Sequence, residues 1–164
     1  ILNAIVVILI NINYEYKNDE ENLFIKVHKE NDNARVLNEI LLRVLNNEDN
    51  ETQQIKILKC LEDLMRNYDK SIFYESDLES FIDILLPKLQ LTENNELKEK
   101  LLKCLENVTK YNEYYGEMYK VEEITELMED FESAENQSEE VRNISKQIVI
   151  NITDRQGKNK KGNE

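Results

Sequence analysis

Apolar residues along the chain recur at three- and four-residue intervals, with polar side chains between them. In Ile57-Leu58-Lys59-Cys60-Leu61-Glu62-Asp63-Leu64, positions 57, 61 and 64 fall at i, i+4 and i+7, the inward stripe of an amphipathic helix. The pattern returns at an offset of 44 in Leu101-Leu102-Lys103-Cys104-Leu105-Glu106-Asn107-Val108, which repeats the pentapeptide LKCLE whole. A weaker third copy at the same offset puts Val141, Ile148, Val149 and Ile152 in the places of Leu97, Cys104, Leu105 and Val108. Isoleucine at a cysteine's place assigns that position to packing. A branched hydrocarbon can replace a small buried apolar side chain, but not a metal ligand or a nucleophile.

The other segments extend the helical pattern. The apolar opening, residues 1–10, is too short for a membrane crossing, which needs about 20 residues. With Asn3 inside it and Asn11 and Asn13 directly after it, it reads as a core helix of a larger protein. A charged connector at 14–22 leads to residues 23–30, whose shortness leaves helix or strand open. Firmer helices are predicted over Val36–Asn46 and Gln53–Arg66, with the polar cluster at 46–51 between them. Ser76-Asp77-Leu78-Glu79 reads as a capping box opening a helix that buries Leu78, Ile82, Leu85 and Leu89. Pro87 inside that pattern predicts a kink or an early stop. Further helices are expected over Glu96–Lys110, along the stripe Val121, Ile124, Leu127, Met128 and Phe131, and over Glu140–Ile152. The tyrosines at 111–119 are expected to plug a bend between repeats. Two helices per 44 residues is the period of armadillo and HEAT arrays, whose units span about 40–47 residues. The expected fold is an all-α, armadillo/HEAT-like α-solenoid with a repeat period of about 44 residues. Its expected limits are a single domain over 1–154, part of a larger one, and a disordered basic tail over 155–164.

Composition narrows the function. Three Gly and one Pro in 164 residues argue against a sheet protein rich in tight turns and against glycine-rich phosphate loops. The 34 acidic and 21 basic side chains leave a net charge of −13, which repels a phosphate backbone and excludes nucleic acid as the natural partner. The same charge suits a scaffold that captures a basic linear peptide. Cys60 and Cys104, at repeat-equivalent core positions, fit a reduced cytosolic setting. His28 reads as a surface or partly buried residue, because no nucleophile is placed beside it by local motif. Metal-ligand spacing is absent, and no cofactor or enzymatic chemistry is expected. Lys59, Glu62, Lys103 and Glu106 occupy equivalent outward positions and form the candidate partner-binding stripe, although a solvated polar face is the simpler reading.

Beyond these patterns, an ordered set of segments carries a family resemblance. ETQQIKILKCLEDLM (51–65), FYESDLESFIDILLPKLQL (73–91), LKEKLLKCL (97–105) and YKVEEI (119–124) resemble the leucine-rich, armadillo-type domain of the WISH/DIP/SPIN family. The distinctive run is Phe73-Tyr74, Asp77-Leu78 and Ile82-Asp83-Ile84; Glu39-Ile40-Leu41-Leu42 and Leu45-Asn46 fit upstream. The resemblance covers about residues 35–130 and departs at Pro87-Lys88, where members tend to carry Arg-Glu. It implies a protein that binds and activates the actin-related protein 2/3 complex without a preformed filament, seeding linear filaments. The implied location is cytoplasmic, at the actin cortex and endocytic patches.

Overall fold

A computed structural model describes residues 2–17, 22–30, 34–67, 73–110 and 119–161. They form eight helices: α1 (Leu2–Glu15), α2 (Leu23–Lys29), α3 (Ala34–Asn46), α4 (Glu51–Asn67), α5 (Glu75–Leu91), α6 (Asn95–Val108), α7 (Val121–Ser133) and α8 (Glu139–Lys161). No strand occurs among the described residues, so the fold is all-helical, consistent with an α-solenoid. Helices α4, α6 and α8 begin at residues 51, 95 and 139, intervals of 44, whereas α5 and α7 begin at 75 and 121, an interval of 46. The tyrosine-rich residues 111–118 lie outside the described residues.

The chain divides into two compact units, residues 1–84 and 85–164, where the apolar pattern predicts one domain. In the first unit α1, α2 and α3 each pack on α4. The α4 stripe Ile57, Leu61 and Leu64 is buried together with Leu58, Cys60 and Met65, so this helix is apolar around much of its girth. In the second unit α6 and α7 both pack on α8. Leu101, Leu105 and Val108 of α6, Ile124 and Met128 of α7, and Val141 and Ile148 of α8 are fully buried.

Several expected boundaries move. Residues 23–30, left open between helix and strand, form helix α2: buried Asn22 caps it, its side-chain oxygen accepting from the backbone N–H groups of Phe24 and Ile25. The box expected at Ser76 is displaced, because α5 starts earlier and the Asp77 carboxylate accepts from the backbone N–H of Tyr74 at 2.9 Å. Pro87 does not stop α5, which runs to Leu91. The ring is exposed, so its cost falls on the backbone, where it supplies no N–H for the Asp83 carbonyl. The boundary between the units, Ile84 to Leu85, falls within the turn preceding that proline. Helix α8 passes the expected end at Ile152, and the segment from Arg155, expected to be a disordered tail, is helical through Lys161. Arg155 donates to the Lys110 carbonyl at 3.1 Å, which ties this stretch to the end of α6.

Helix α1 buries Val6 and Ile10, while Ile5, Ile8 and Ile12 on another face are 49%, 58% and 41% exposed. It is therefore only half a core helix in this unit. No helix among the described residues is long and apolar enough to cross a membrane.

Candidate functional site

Both LKCLE segments are centred on packing. Cys60 and Cys104 are free thiols at zero exposure. Burial pushes the Cys60 thiol well above its ordinary range, the nearby Asp63 carboxylate adds to this, and Lys59 opposes it. A thiol held protonated is a poor nucleophile and a poor metal ligand. Among the described residues, no three His, Cys, Asp or Glu side chains converge as a metal site requires.

The polar side of the first segment is engaged within its own unit. Asp63, almost wholly buried, accepts from Asn13 Nδ2 at 2.9 Å, from Lys59 Nζ at 2.6 Å and from an Arg66 guanidinium nitrogen at 2.9 Å. Lys59 also donates to the Asn13 backbone carbonyl at 3.1 Å, near the end of α1, where a cation satisfies a helix-terminal carbonyl. Asn22 donates to Asn13 Oδ1 at 2.7 Å while its own oxygen caps α2. One network thus ties α1, the start of α2 and the middle of α4. Glu62, itself largely covered, pairs with the half-exposed Arg66 at 3.4 Å.

The second segment is arranged differently. Asn107 stands where Asp63 stands in the first, so no buried carboxylate gathers donors. Lys103 reaches Glu140 of α8 at 3.4 Å, and Glu106 accepts from Lys110 at 2.7 Å. Lys103 and Glu140 lie at the surface, with side-chain exposures of 35% and 52%, whereas Glu106 is only 20% exposed beneath the exposed Lys110. Of the four candidate partner-binding residues, then, Lys59 is committed to an interior network, and Glu62, Lys103 and Glu106 hold intramolecular ion pairs. Lys59 and Glu62 belong to the first unit, Lys103 and Glu106 to the second.

His28 is buried rather than at the surface, 3.2 Å from Asn38 Oδ1 of α3 and with its ring 6.0 Å from that of Phe24. The helical form of α2 explains this, since Phe24, Ile25 and His28 then share the inward face. The Asn13–Asp63–Asn22 network escaped sequence reasoning. The one available signal was Asn13, a polar residue at i+7 from Val6 and i+3 from Ile10 on the inward face of an apolar helix.

A family profile for the SPIN90/Ldb17 leucine-rich domain matches residues 1–124. The chain belongs to that family. The match is with the same domain that the run from Phe73 to Ile84 resembles, and it reaches back over α1 and α2, which the resemblance left out. It takes in α1 to α6 and the start of α7. Comparison with curated proteins gives no match. SPIN90/Ldb17 leucine-rich domains are protein-interaction domains linked to the actin-regulatory machinery and are not a known enzyme family.

Proposed function

We propose that this chain binds the actin-related protein 2/3 complex and activates it to nucleate linear actin filaments without a preformed filament, at the cytoplasmic actin cortex and endocytic patches. The match to the SPIN90/Ldb17 leucine-rich domain across α1 to α6 carries this reading. The physics of the role suits the fold. An activator that transfers no group works only through its stronger binding to the active arrangement of its partner. To move an equilibrium from 1:99 to 99:1 that difference must reach about 5.5 kcal/mol, which calls for a rigid surface and many contacts. Helices packed through leucine cores supply such a surface without catalytic residues.

Within that surface we favour Lys103 and Glu106 over Lys59 and Glu62 as contact positions. The Lys103–Glu140 pair is open to water and is exchanged at a cost of about 1 kcal/mol or less, and Glu106, partly buried, holds a single pair with the exposed Lys110, whereas Lys59 is held by the Asp63 network. A second reading, a passive scaffold for a basic linear peptide, is favoured by the net charge of −13. Pyrene-actin assembly with purified complex and no filament seeds separates the two. Faster nucleation supports the activator; binding to the complex with an unchanged assembly curve supports the scaffold; no binding by the folded chain rejects the activator.

A further inference from the structure

In the first unit, α3 and the first half of α5 flank an open groove of about 290 Å³ lined by Glu39, Leu42, Arg43, Asp77, Ser80 and Ile84. Arg35 lies 4.2 Å over the ring of Tyr74, so the two helices begin at the same end of the groove. Leu42 and Ile84 form an apolar floor, both nearly buried. Above it the walls are charged: Glu39 and Arg43 stand one turn apart on α3, and Asp77 faces them from α5. Neither Glu39 nor Arg43 has an ion-pair partner among the described residues. The volume lies at the lower edge of the 300–1,000 Å³ usual for small-molecule pockets, and the groove is open to solvent where such a pocket encloses its ligand. It suits one or two side chains of a segment lying across it.

We propose that this groove docks a linear segment of another protein in which an aliphatic side chain neighbours a lysine or arginine. The aliphatic group covers Leu42 and Ile84. The cation enters between Glu39 and Asp77, carboxylates on opposite walls, and Arg43 is left to donate to a main-chain carbonyl of the segment. Charge decides the occupant. The groove presents two carboxylates to one guanidinium in a chain of net charge −13, so an acidic segment or a second copy of this chain is repelled where a basic segment is drawn in. The proposal rests on reading the chain as an interaction module, and it assigns that module a surface and a class of ligand.

The test uses the whole chain and a fluorescein-labelled peptide of alternating leucine and lysine, followed by anisotropy at physiological salt and by methyl NMR. The peptide should saturate and shift the methyl signals of Leu42 and Ile84, while a serine–lysine peptide of equal charge binds about tenfold more weakly or worse. Glu39→Lys, and Ser80→Trp, which fills the groove from an exposed position, should each weaken the leucine–lysine peptide by about tenfold or more. Glu129→Lys makes the same charge change at an exposed position of α7 and should cost about twofold or less. Equal losses for Glu39→Lys and Glu129→Lys, or unshifted Leu42 and Ile84 methyls at saturation, would overturn the groove as the site. The methyl readout on the unsubstituted chain holds even if Ser80→Trp misfolds. Equilibrium sedimentation of the chain alone should show a monomer; a dimer dispersed by Glu39→Lys would assign the groove to a second copy and reject the proposal. Because the assay contains neither actin nor the complex, its failure is distinct from a flat nucleation trace.

Discussion

Asp63 concentrates more structural consequence than any other polar residue described. Its carboxylate gathers Asn13, Lys59 and Arg66 in a nearly water-free place, so removing it takes the acceptor from a buried amide and leaves Lys59 only the Asn13 carbonyl, without a counter-charge. Asp63→Ala is expected to cost about 3 kcal/mol, near the low end for breaking a buried pair because Lys59 keeps some contact with water. Urea unfolding measures this, and a loss below about 1 kcal/mol would reduce the network to a surface feature. Cys60 makes a second prediction. Its thiol titrates higher in the folded chain than the ordinary value of about 8.5 for an unfolded one. Above that pH the unfolded chain has released the proton and the folded chain still holds it. The stability is therefore complete below about pH 8.5 and falls as pH rises, by up to about 1.4 kcal/mol per pH unit, until the folded thiol ionises. Cys60→Ala should flatten this alkaline slope relative to the parent, and native Cys60 should resist thiol reagents that label the unfolded chain at once.

Helices carry two further expectations. Pro87 sits inside α5 with its ring exposed and no N–H for the Asp83 carbonyl. Pro87→Ala restores that bond at a site with no packing to disturb, and should raise stability by up to about 3 kcal/mol in thermal unfolding. An unchanged or lowered midpoint would mean that α5 needs the proline. Helix α1 offers a paired test, since Val6 faces the core and Ile8 faces solvent. Ile8→Glu should change stability by less than about 0.5 kcal/mol, whereas Val6→Glu buries a carboxylate without a partner and should cost several kcal/mol. If both are equally harmful, α1 is buried on both sides in solution. The helices also show where patterns mislead. An apolar run such as residues 1–10 shows no single face, so its periodicity cannot say which side packs, and the chain uses Asn13 rather than another isoleucine to anchor it.

At the scale of the molecule, the family match ends at residue 124, inside α7, while the second unit is completed by α7 and α8. Helix α6 keeps Leu101, Leu105 and Val108 dry by packing on α8. A chain ending at residue 124 should therefore lose helicity beyond the removed residues and bind a hydrophobic dye. Circular dichroism and dye fluorescence check this. Native-like helicity per residue in the shortened chain would show that α6 can cover its own apolar face. The net charge of −13 acts at this scale too, steering basic partners and turning acidic ones away, as the groove between α3 and the start of α5 uses locally.

The longer helices other than their ends, the inward stripes of α4 and α6, the packing role of both cysteines and the family were legible in the residues themselves. Periodicity and side-chain chemistry are local properties, and an apolar stripe at helical spacing has one stable resolution, burial. What the tertiary structure decided was which polar groups meet. Lys59 and Lys103 share one sequence context, yet one is drawn to Asp63 and the end of α1 and the other to Glu140 of α8. Likewise His28 and Asn38, and Glu39 and Asp77, become neighbours only once their helices have packed. Hydrogen bonds and ion pairs act over a few ångströms between residues tens of positions apart, so their partners are set by the fold, and a periodic pattern carries no record of them.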